Sequence, residues 1–498
     1  MSGDGPTDRA RSVAITIVAV VAVASAVGSA FWVAEPGASC PLPTAVPLAT
    51  QSPIQHVFFI IKENHAFENY FGTFPGVVGY PPNGSLPLAF GSNQTVAPFP
   101  LNGSSTPDLP HDRASELVDL DGGKNDGFVA GAAAEGYADS KDAVGFYTAA
   151  QIPDYFEYAH SFALGDEFFS GILGPTLPNR FFDLAATSGN WTSDIPPPPE
   201  AVAFPTILNE LSEHGIPWNY DYTGSELGLT PLYLPAIADD PCLVARIQPV
   251  SDLTSQIDGN APPAVTFIDA SNDLATSEHP PANITVGEEW TVSVINAIAA
   301  SPIGGSSAVF LFYDEAGGYW DPVPPPVTSA LGDGFRVPFL VISPWTPMGV
   351  VDHEVLDPSS LLRFVDDNWE LPYLNSRVAN APGLVGFFDF NQSPRTLPTL
   401  PTPIGFNSTN VGLLVRGSSV EREEGIATTG VGSQMVAAPS GVDCAHPRRF
   451  APIPKGFETR TLGGARWRAG VPRMPLRRGG HRFRNVGVRK RLEQSVGA

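Results

Sequence analysis

The chain has 498 residues, 43% of them hydrophobic and 10% aromatic, which is enough for one large core or two modest ones. Its 49 glycines and 52 prolines stay below the share that marks a disordered, low-complexity chain. The formal net charge of −23 argues against a nucleic-acid-binding protein. Three cysteines are too few and too scattered for a disulfide scaffold or a cysteine-ligated metal site: Cys40, Cys242 and Cys444.

The charge is divided unevenly along the chain. Residues 448–498 contain 14 Lys and Arg residues and two acids, whereas residues 1–447 contain 14 Lys and Arg residues and 49 acids. Two interpretations fit this basic tail. It is either a disordered arm that binds acidic polymers or lipids, or a segment translated in a shifted reading frame.

The first apolar segment covers residues 12–34, contains no charged residue and follows Arg9 and Arg11. It is long enough to anchor the chain in a membrane, and its small residues also suit a cleaved export signal. In both cases the positive flank predicts that the rest of the chain lies outside the cytoplasm. Seven Asn-x-Ser/Thr sequons agree with an exported, glycosylated chain: Asn83, Asn93, Asn102, Asn190, Asn283, Asn391 and Asn407.

Three regions follow from the patterns along the chain. Residues 1–53 form the anchor or signal and an extended stalk, residues 54–390 form one catalytic domain, and residues 391–498 form a Pro-rich linker and the tail. Near-continuous apolar runs within the domain suit parallel strands buried on both faces, so we expect an α/β fold, a three-layer sandwich around a mostly parallel sheet. The predicted strands are 55–61, 264–268, 308–313 and 337–343, and the predicted helices are 204–214, 287–300 and 358–369, the last with Asp357 as its N-cap.

Glu63 and Asn64 follow directly after the first predicted strand. In open α/β sheets, ligands bind beyond the carboxyl ends of the strands. A carboxylate and an amide oxygen at that position suit a hard divalent cation. The alternative is that the pair only caps the helix that follows.

Residues 171–180, GILGPTLPNR, form a second candidate segment. Glycine and proline predict a tight turn that places Thr176 at the start of a helix, where free backbone N–H groups favour a phosphate or a developing oxyanion. A hydroxyl beside a metal ion can lose its proton and act as a nucleophile. The alternative is a capping threonine.

Asp314 and Glu315 follow the predicted strand 308–313 in the same way. Two adjacent carboxylates repel each other unless a cation or a proton lies between them. Together with Glu63 and Asn64 they would complete an oxygen-rich metal site. The alternative is a solvated acidic turn.

Three histidines are candidates for phosphate chemistry: His111, His279 and His353. A histidine beside a scissile phosphate protonates the leaving oxygen or holds a phosphoryl oxygen. Singly, each one also fits a surface or capping position.

Together these segments resemble the phosphoesterase family of bacterial phospholipases C, plant non-specific phospholipases C and a group of acid phosphatases. The family block E-N-R-S-F-D-x-Y-F-G is similar to residues 63–72, ENHAFENYFG, and the block G-P-T-x-P-N-R matches residues 174–180. A third block, D-E-x-G-G-x-x-D-H-V-x-P-P, begins at Asp314. The order and spacing of the blocks hold over residues 54–390.

The resemblance implies an alkaline-phosphatase-like fold and a divalent metal ion held by Glu63, Asn64, Asp314 and Glu315. It implies that Thr176 attacks phosphorus and forms a phosphothreonine that water then hydrolyses. His111 and His279 would line the phosphate pocket as catalytic residues, and we expect three further residues to contribute to substrate binding: Asn179, Arg180 and His353.

This sequence departs from the family pattern at two positions where the family has residues suited to metal ligation, proton transfer or phosphate binding. Pro322 stands where the third block has histidine, and His65-Ala66 stands where the first block has Arg-Ser. Proline neither ligates a metal nor transfers a proton, and the loss of the arginine removes a guanidinium that suits phosphate.

The sequence therefore predicts an extracytoplasmic, metal-dependent phosphoesterase, secreted or membrane-anchored through its N-terminal segment. Its substrate would be a phosphate mono- or diester, either a small molecule or a phospholipid, with no nucleic-acid partner and no obligate protein partner. The aromatic residues in 218–222, WNYDY, would either stack on a choline group or belong to the core. The alternative function is a surface glycoprotein that retains the fold but is catalytically impaired by Pro322 and His65.

Overall fold

The computed structural model describes residues 49–225, 229–271, 273–329 and 331–402. The predicted anchor or signal, the basic tail, Cys40, Cys444 and the sequon at Asn407 lie outside these ranges. Among the residues within them, no helix combines the length and the apolar character needed to cross a membrane. The six sequon asparagines that fall inside the ranges are all exposed, and their glycosylation stays a prediction.

One central sheet dominates the described part of the chain. It contains eight strands, which are β1 (His56–Lys62), β2 (Ala163–Gly165), β3 (Trp218–Tyr222), β4 (Ile247–Pro249), β5 (Val265–Asp269), β6 (Ser307–Tyr313), β7 (Phe339–Ile342) and β8 (Val350–Asp352). They lie side by side in the order β8-β2-β7-β6-β1-β5-β3-β4. Two short pairs lie outside this sheet, Leu86–Pro87 with Thr95–Val96 and Phe99–Pro100 with Gly145–Phe146.

The prediction of a mostly parallel sheet is confirmed. All neighbouring strands are parallel except those next to β7, which is antiparallel to both β6 and β2. The prediction that residues 337–343 form a parallel strand is therefore wrong. Because no crossover helix forms between β6 and β7 in the described residues, the chain returns in the opposite direction.

The helices of the described residues connect these strands and cover the sheet. They are α1 (Phe67–Phe71), α2 (Arg113–Leu120), α3 (Phe128–Glu135), α4 (Pro153–Ser161), α5 (Thr176–Ala185), α6 (Ile207–Glu213), α7 (Pro235–Ala238), α8 (Pro241–Val244), α9 (Leu253–Ile257), α10 (Leu274–Ser277), α11 (Ile284–Ala300), α12 (Pro358–Trp369) and α13 (Ser376–Asn380). The prediction for α12 is confirmed in both bounds. Its cap is confirmed too, because Asp357 Oδ1 accepts a hydrogen bond from the Ser359 N–H over 2.6 Å.

Helices pack on both faces of the sheet, which confirms the predicted layered α/β arrangement. On one face, aromatic rings from neighbouring strands form a row, with Phe59 4.8 Å from Phe267 and 5.5 Å from Phe310 between ring centroids. Phe364 of α12 covers this row, 5.3 Å from Phe310. On the opposite face, Trp290 of α11 lies over β1.

β3, which covers the WNYDY segment, belongs to the core. Trp218 and Tyr220 are buried in the sheet, and the Tyr220 ring stacks on Phe267 at 6.1 Å. The Trp218 indole N–H donates to the Ser212 hydroxyl over 2.7 Å. Core packing is thus the interpretation that holds for these two aromatic residues.

The first part of the predicted linker is attached to the domain. The Leu397 side chain is buried, and Asn296 of α11 exchanges two hydrogen bonds with the Leu400 backbone, over 2.8 and 3.0 Å. The boundary expected at residue 391 stays a prediction, but Leu400 packs against the core and Thr402 Oγ1 donates to the Glu289 carbonyl of α11 over 3.4 Å.

Strand register places the site residues. Lys62 at the end of β1 lies directly opposite Tyr313 at the end of β6. Since the strands are parallel, Glu63 and Asp314 leave the sheet side by side. Asp269, the last residue of β5, lies opposite Ile61 on the other side of β1.

Candidate active site

The polar residues that follow β1 and β6 contact each other. The Asn64 N–H donates to Asp314 Oδ1 over 3.3 Å, and the Glu315 N–H donates to the same oxygen over 2.8 Å. Asn64 has a left-handed φ of 60°, a conformation that asparagine tolerates better than most residues. The structure therefore brings together Glu63, Asn64, Asp314 and Glu315, all of which are buried.

Arg180 of α5 lies between the carboxylates of three strand ends. Its Nε is 3.3 Å from Asp314 Oδ2, and its two terminal nitrogens are 3.2 Å from Glu63 Oε1 and 3.4 Å from Asp269 Oδ1. The guanidinium is almost completely buried, so its charge is balanced by these carboxylates and not by solvent. Its role in substrate binding stays a prediction, and its contacts here are to the carboxylates.

Burial raises the pKa of three of these carboxyl groups, Glu63, Asp314 and Glu315. The negative charge of Asp314 raises the pKa of Glu63 and Glu315 further. The guanidinium of Arg180 acts in the opposite direction on Glu63 and Asp314, without overcoming the effect of burial. A further positive charge at this edge of the sheet would stabilise the ionised carboxylates.

The donor set fits the divalent cation that the resemblance implies. Asn64 Oδ1 and Glu315 Oε1 are buried oxygens with no hydrogen-bond partner among the described residues, although buried polar atoms normally have one. Together with the carboxylates of Glu63 and Asp314 they form an all-oxygen set, which suits a hard cation. Four residues would then hold the ion, with Arg180 balancing the remaining charge.

Thr176 is the first residue of α5 and is partly exposed. Arg180 follows one helical turn later on the same side of α5, so Thr176 lies at the end of the helix nearest the residue that contacts the carboxylates. One backbone donor of this helix end is already in use, because the Leu177 N–H donates to Asp194 Oδ1 over 2.8 Å. The N–H groups predicted to be free are thus partly occupied by an exposed aspartate.

His111 and His279 lie together beside these carboxylates, with ring centroids 5.9 Å apart. His111 Nε2 is 3.4 Å from Asn64 Nδ2 and 3.6 Å from Glu315 Oε1. Asp108, which sequence analysis missed, joins them, since one ligand atom from each of Asp108, His111 and His279 lies within 4.8 Å of the others.

Two predicted substrate-binding residues have other contacts. Asn179 is buried and holds its own loop, accepting from the Ile172 N–H over 3.0 Å and donating to the Gly174 carbonyl over 2.8 Å. The His353 side chain is half exposed and its Nδ1 lies 2.9 Å from Asp166. In the described residues no contact joins His353 to the carboxylates of Glu63, Asp314 or Glu315, and its role stays a prediction.

Sequence analysis missed a buried carboxylate behind the site. Glu278 accepts hydrogen bonds from Lys62 Nζ over 2.9 Å and from the Tyr155 and Tyr70 hydroxyls over 2.6 Å each, and the Tyr313 hydroxyl also donates to it. These donors come from four separate segments of the chain, so no local sequence pattern predicts that they converge on Glu278. Asp269 was also missed, although the rule that identified Glu63, an acid at the end of a buried strand, applies to it as well.

The departure at residue 65 has a structural explanation. His65 is completely buried, its Nε2 lies 2.9 Å from the Glu278 carbonyl, and its ring stacks on Tyr319 with centroids 5.3 Å apart. Burial lowers the pKa of His65 to about 4, so the ring is neutral at physiological pH. This position faces the interior, which means that the loss of arginine here does not remove a group from the pocket.

The departure at Pro322 follows a buried acid that keeps its partners. The Asp321 carboxylate accepts from Arg336 Nε over 3.0 Å and from the Arg336 backbone N–H over 2.7 Å. Arg336 also pairs with Glu68. The ion pairs of Arg336 with Asp321 and Glu68 therefore form with proline at position 322.

Comparison with known proteins identifies relatives among phospholipases C. The chain is 26% identical to a non-hemolytic phospholipase C of Pseudomonas aeruginosa over 417 residues, which are 70% of this chain and 59% of that enzyme. It is 26% identical to phospholipase C A of Mycobacterium tuberculosis, covering 70% of this chain and 80% of that protein. It is also 23% identical to non-specific phospholipase C1 of Arabidopsis thaliana, covering 70% and 73%.

Solved structures that align with the chain are more distant. A protein of the alkaline phosphatase superfamily from Vibrio parahaemolyticus aligns at 9% identity with a TM-score of 0.34, over 65% of this chain and 70% of that one. The lipoteichoic acid synthase LtaP from Listeria monocytogenes aligns at 8% identity with a TM-score of 0.36, over 66% and 76%.

A family model extends over most of the domain. The model of the phosphoesterase family matches residues 54–372, a range that includes both acidic strand ends and the segment containing Thr176. The family blocks at residues 63–72, 174–180 and from Asp314 onward all lie within it. The chain belongs to the phosphoesterase family.

Proposed function

We propose that this protein is an extracytoplasmic, metal-dependent phosphoesterase of the phospholipase C type that uses Thr176 as its nucleophile. One observation carries the proposal. Glu63, Asn64, Asp314 and Glu315 converge at one edge of the sheet, and the carboxylates of Glu63 and Asp314 contact Arg180, which lies one turn after Thr176. A nucleophile beside an oxygen-rich cation site is the arrangement that phosphoryl transfer requires.

The reaction would proceed in two steps with the same residue. Thr176 Oγ forms a bond to phosphorus while the bond from phosphorus to the leaving alcohol breaks. The hydroxyl proton of Thr176 passes to solvent, and the departing alcohol oxygen takes up a proton from solvent. Water then attacks the phosphothreonine, releases the phosphate product and restores the hydroxyl.

The cation would be held by Glu63, Asn64, Asp314 and Glu315. Such an ion lowers the pKa of a neighbouring hydroxyl and neutralises charge on phosphoryl oxygens. Arg180 holds the carboxylates of Glu63 and Asp314 in place, because its guanidinium contacts both of them. His111 and His279 would line the phosphate pocket on the side of Asn64 and Glu315.

A phospholipid is the substrate class that the relatives favour, since three of them are named phospholipases C. The apolar, uncharged segment at residues 12–34 and the exposed sequons support an exported enzyme that meets lipid outside the cytoplasm. The chain spans 59% of the length of the Pseudomonas enzyme, so the proposal concerns the matched part of that enzyme alone.

Hydrolysis of p-nitrophenyl phosphorylcholine and of phosphatidylcholine vesicles tests the proposal, with p-nitrophenyl phosphate as the monoester comparison. We expect turnover by the wild type, loss of turnover with chelator, and a loss of at least about 1,000-fold in Thr176→Ala. Thr187→Ala is the matched control, because Thr187 is partly exposed just beyond the other end of α5. That variant should retain full activity.

Two results would contradict the proposal in different ways. Turnover that is unchanged in Thr176→Ala would leave a hydrolase but remove this nucleophile. No turnover of any of the three substrates across a range of pH and added divalent cations would support the rival function, a surface glycoprotein with the fold but without the activity.

A further inference from the structure

The cluster of Asp108, His111 and His279 differs in chemistry from the all-oxygen set next to it. Its ligand atoms lie within 4.8 Å of one another, a spacing at which a single ion can contact all of them. Two of the three donors are imidazoles, which suit zinc and other transition-metal ions better than magnesium or calcium. The family resemblance assigns the histidines to the phosphate pocket and gives no ion to this cluster.

Both imidazoles have a backbone carbonyl at Nδ1, and Asp108 Oδ1 also lies 3.5 Å from His111 Nδ1. His111 Nδ1 lies 2.6 Å from the Leu109 carbonyl, and His279 Nδ1 lies 2.6 Å from the Pro280 carbonyl. A carbonyl oxygen only accepts, so the proton of each neutral ring is on Nδ1 and the lone pair is on Nε2. Metal-binding histidines usually have this arrangement, in which a backbone carbonyl fixes the tautomer and the other nitrogen holds the ion.

His111 Nε2 lies beside a buried carboxylate oxygen and a side-chain amide. It is 3.6 Å from Glu315 Oε1, which is completely buried and accepts no hydrogen bond from the described residues, and 3.4 Å from Asn64 Nδ2. Two electron-rich atoms that face each other in this way repel unless a proton or a cation lies between them. Glu315 thus borders both the all-oxygen set and the histidine cluster.

We propose that Asp108, His111 and His279 hold a second divalent cation of the zinc type, adjacent to the first across Glu315. This inference rests on the proposed function, because two neighbouring cations would both bind the phosphoryl group of the substrate. It also accounts for the histidines in the phosphate pocket, since a neutral Nε2 repels a phosphoryl oxygen whereas a cation bound to it attracts one.

Metal content of the full-length chain tests this directly. Protein stripped with chelator is titrated with Zn²⁺ and with Co²⁺, and bound metal is measured by mass spectrometry and by the visible absorption of Co²⁺. We expect His279→Ala to bind one equivalent of Zn²⁺ less than the wild type and to lose the Co²⁺ band typical of nitrogen ligation. Asp314→Asn should keep that band.

Two further variants keep the test interpretable. Asp108→Asn alters an exposed residue, so it should fold normally, and we expect it to weaken Zn²⁺ binding at this site by at least about 10-fold. His214→Ala, which removes an exposed histidine outside the cluster, should bind as much Zn²⁺ as the wild type.

Equal Zn²⁺ content in the wild type and His279→Ala would overturn the proposal, and so would an unchanged Co²⁺ band in Asp108→Asn and His279→Ala. The histidines would then act as free imidazoles. Hydrolysis combined with equal metal content would refute the second cation but leave the proposed function intact. Binding of a second equivalent of Zn²⁺ without hydrolysis would support the second cation and contradict the proposed function.

Discussion

The ammonium group of Lys62 lies 2.9 Å from the carboxylate of Glu278, and both side chains are completely buried. Each partner directly precedes a site residue, since Lys62 is followed by Glu63 and Glu278 by His279. Tyr313, which also donates to Glu278, is followed by Asp314. One buried ion pair therefore supports three segments of the candidate site from behind.

Glu278→Gln should lower the free energy of unfolding by about 3 kcal/mol or more, because it leaves the charge of Lys62 buried without a counterion. Tyr155→Phe removes only one hydroxyl contact and should cost about 1 kcal/mol. Urea denaturation at pH 7 measures both. The double variant Lys62→Met with Glu278→Gln should recover part of the loss, and equal values for the single and the double variant would contradict this explanation.

Arg180→Met should destabilise the chelator-treated protein by about 3 kcal/mol, since three buried carboxylates lose their counterion. Added Mg²⁺ or Ca²⁺ should recover part of this loss by supplying positive charge to the same carboxylates. Thermal unfolding with and without the cation is the measurement. Arg363→Met is the control, because Arg363 pairs with the exposed Asp367, and its stability should not respond to the cation.

His65→Arg restores the family residue but should not improve phosphate binding, because position 65 faces Tyr319 and the Glu278 carbonyl. A longer, charged side chain in this closed space should lower the free energy of unfolding by about 1–3 kcal/mol. The KM for p-nitrophenyl phosphorylcholine and the urea midpoint report the two effects. A KM that falls several-fold would mean that the arginine reaches the pocket after all.

Asp366→Asn should stabilise the protein more at high pH than at low pH. Burial raises the pKa of Asp366 to about 7, and its Oδ1 has no hydrogen-bond partner in the described part of the chain, so the folded protein keeps a proton that the unfolded chain loses near pH 4. The wild type therefore becomes less stable as pH rises between these values, whereas asparagine does not titrate.

We expect the stability advantage of Asp366→Asn to grow by about 3 kcal/mol from pH 4.5 to pH 8, measured by urea denaturation. The neighbouring Asp367 is half exposed, so Asp367→Asn serves as the control and should show no comparable trend. A stability difference that does not vary with pH would refute the raised pKa.

The fold was predictable where strands are continuous apolar runs. β1, β5 and β6 are such runs, and the structure places each within one residue of the prediction. β3 alternates aromatic and polar residues and was interpreted as a binding or core segment, while β2 and β8 have three residues each and carry too little pattern. The direction of β7 depends on whether a crossover helix forms between β6 and β7. The apolar pattern within the strands does not show this.

The site was predictable where it follows a strand end. Glu63, Asn64, Asp314 and Glu315 obey that rule, and the structure brings them together. Arg180 was expected at the substrate and instead contacts these carboxylates, because a buried guanidinium needs several acceptors and sequence does not say which acids lie around it. For the same reason, the sequence did not indicate that Glu278 supports the site.

The parallel pairing of β1 with β6 has a consequence for how the protein matures. Asn64 and Asp314 are 250 positions apart, and contacts between such distant residues form late because the intervening chain must be ordered first. A nascent chain that has emerged only as far as β5 already contains Thr176 and His111 but not the second acidic strand end. Capacity to bind a cation at these four residues would therefore arise only when β1 and β6 pair at the centre of the sheet.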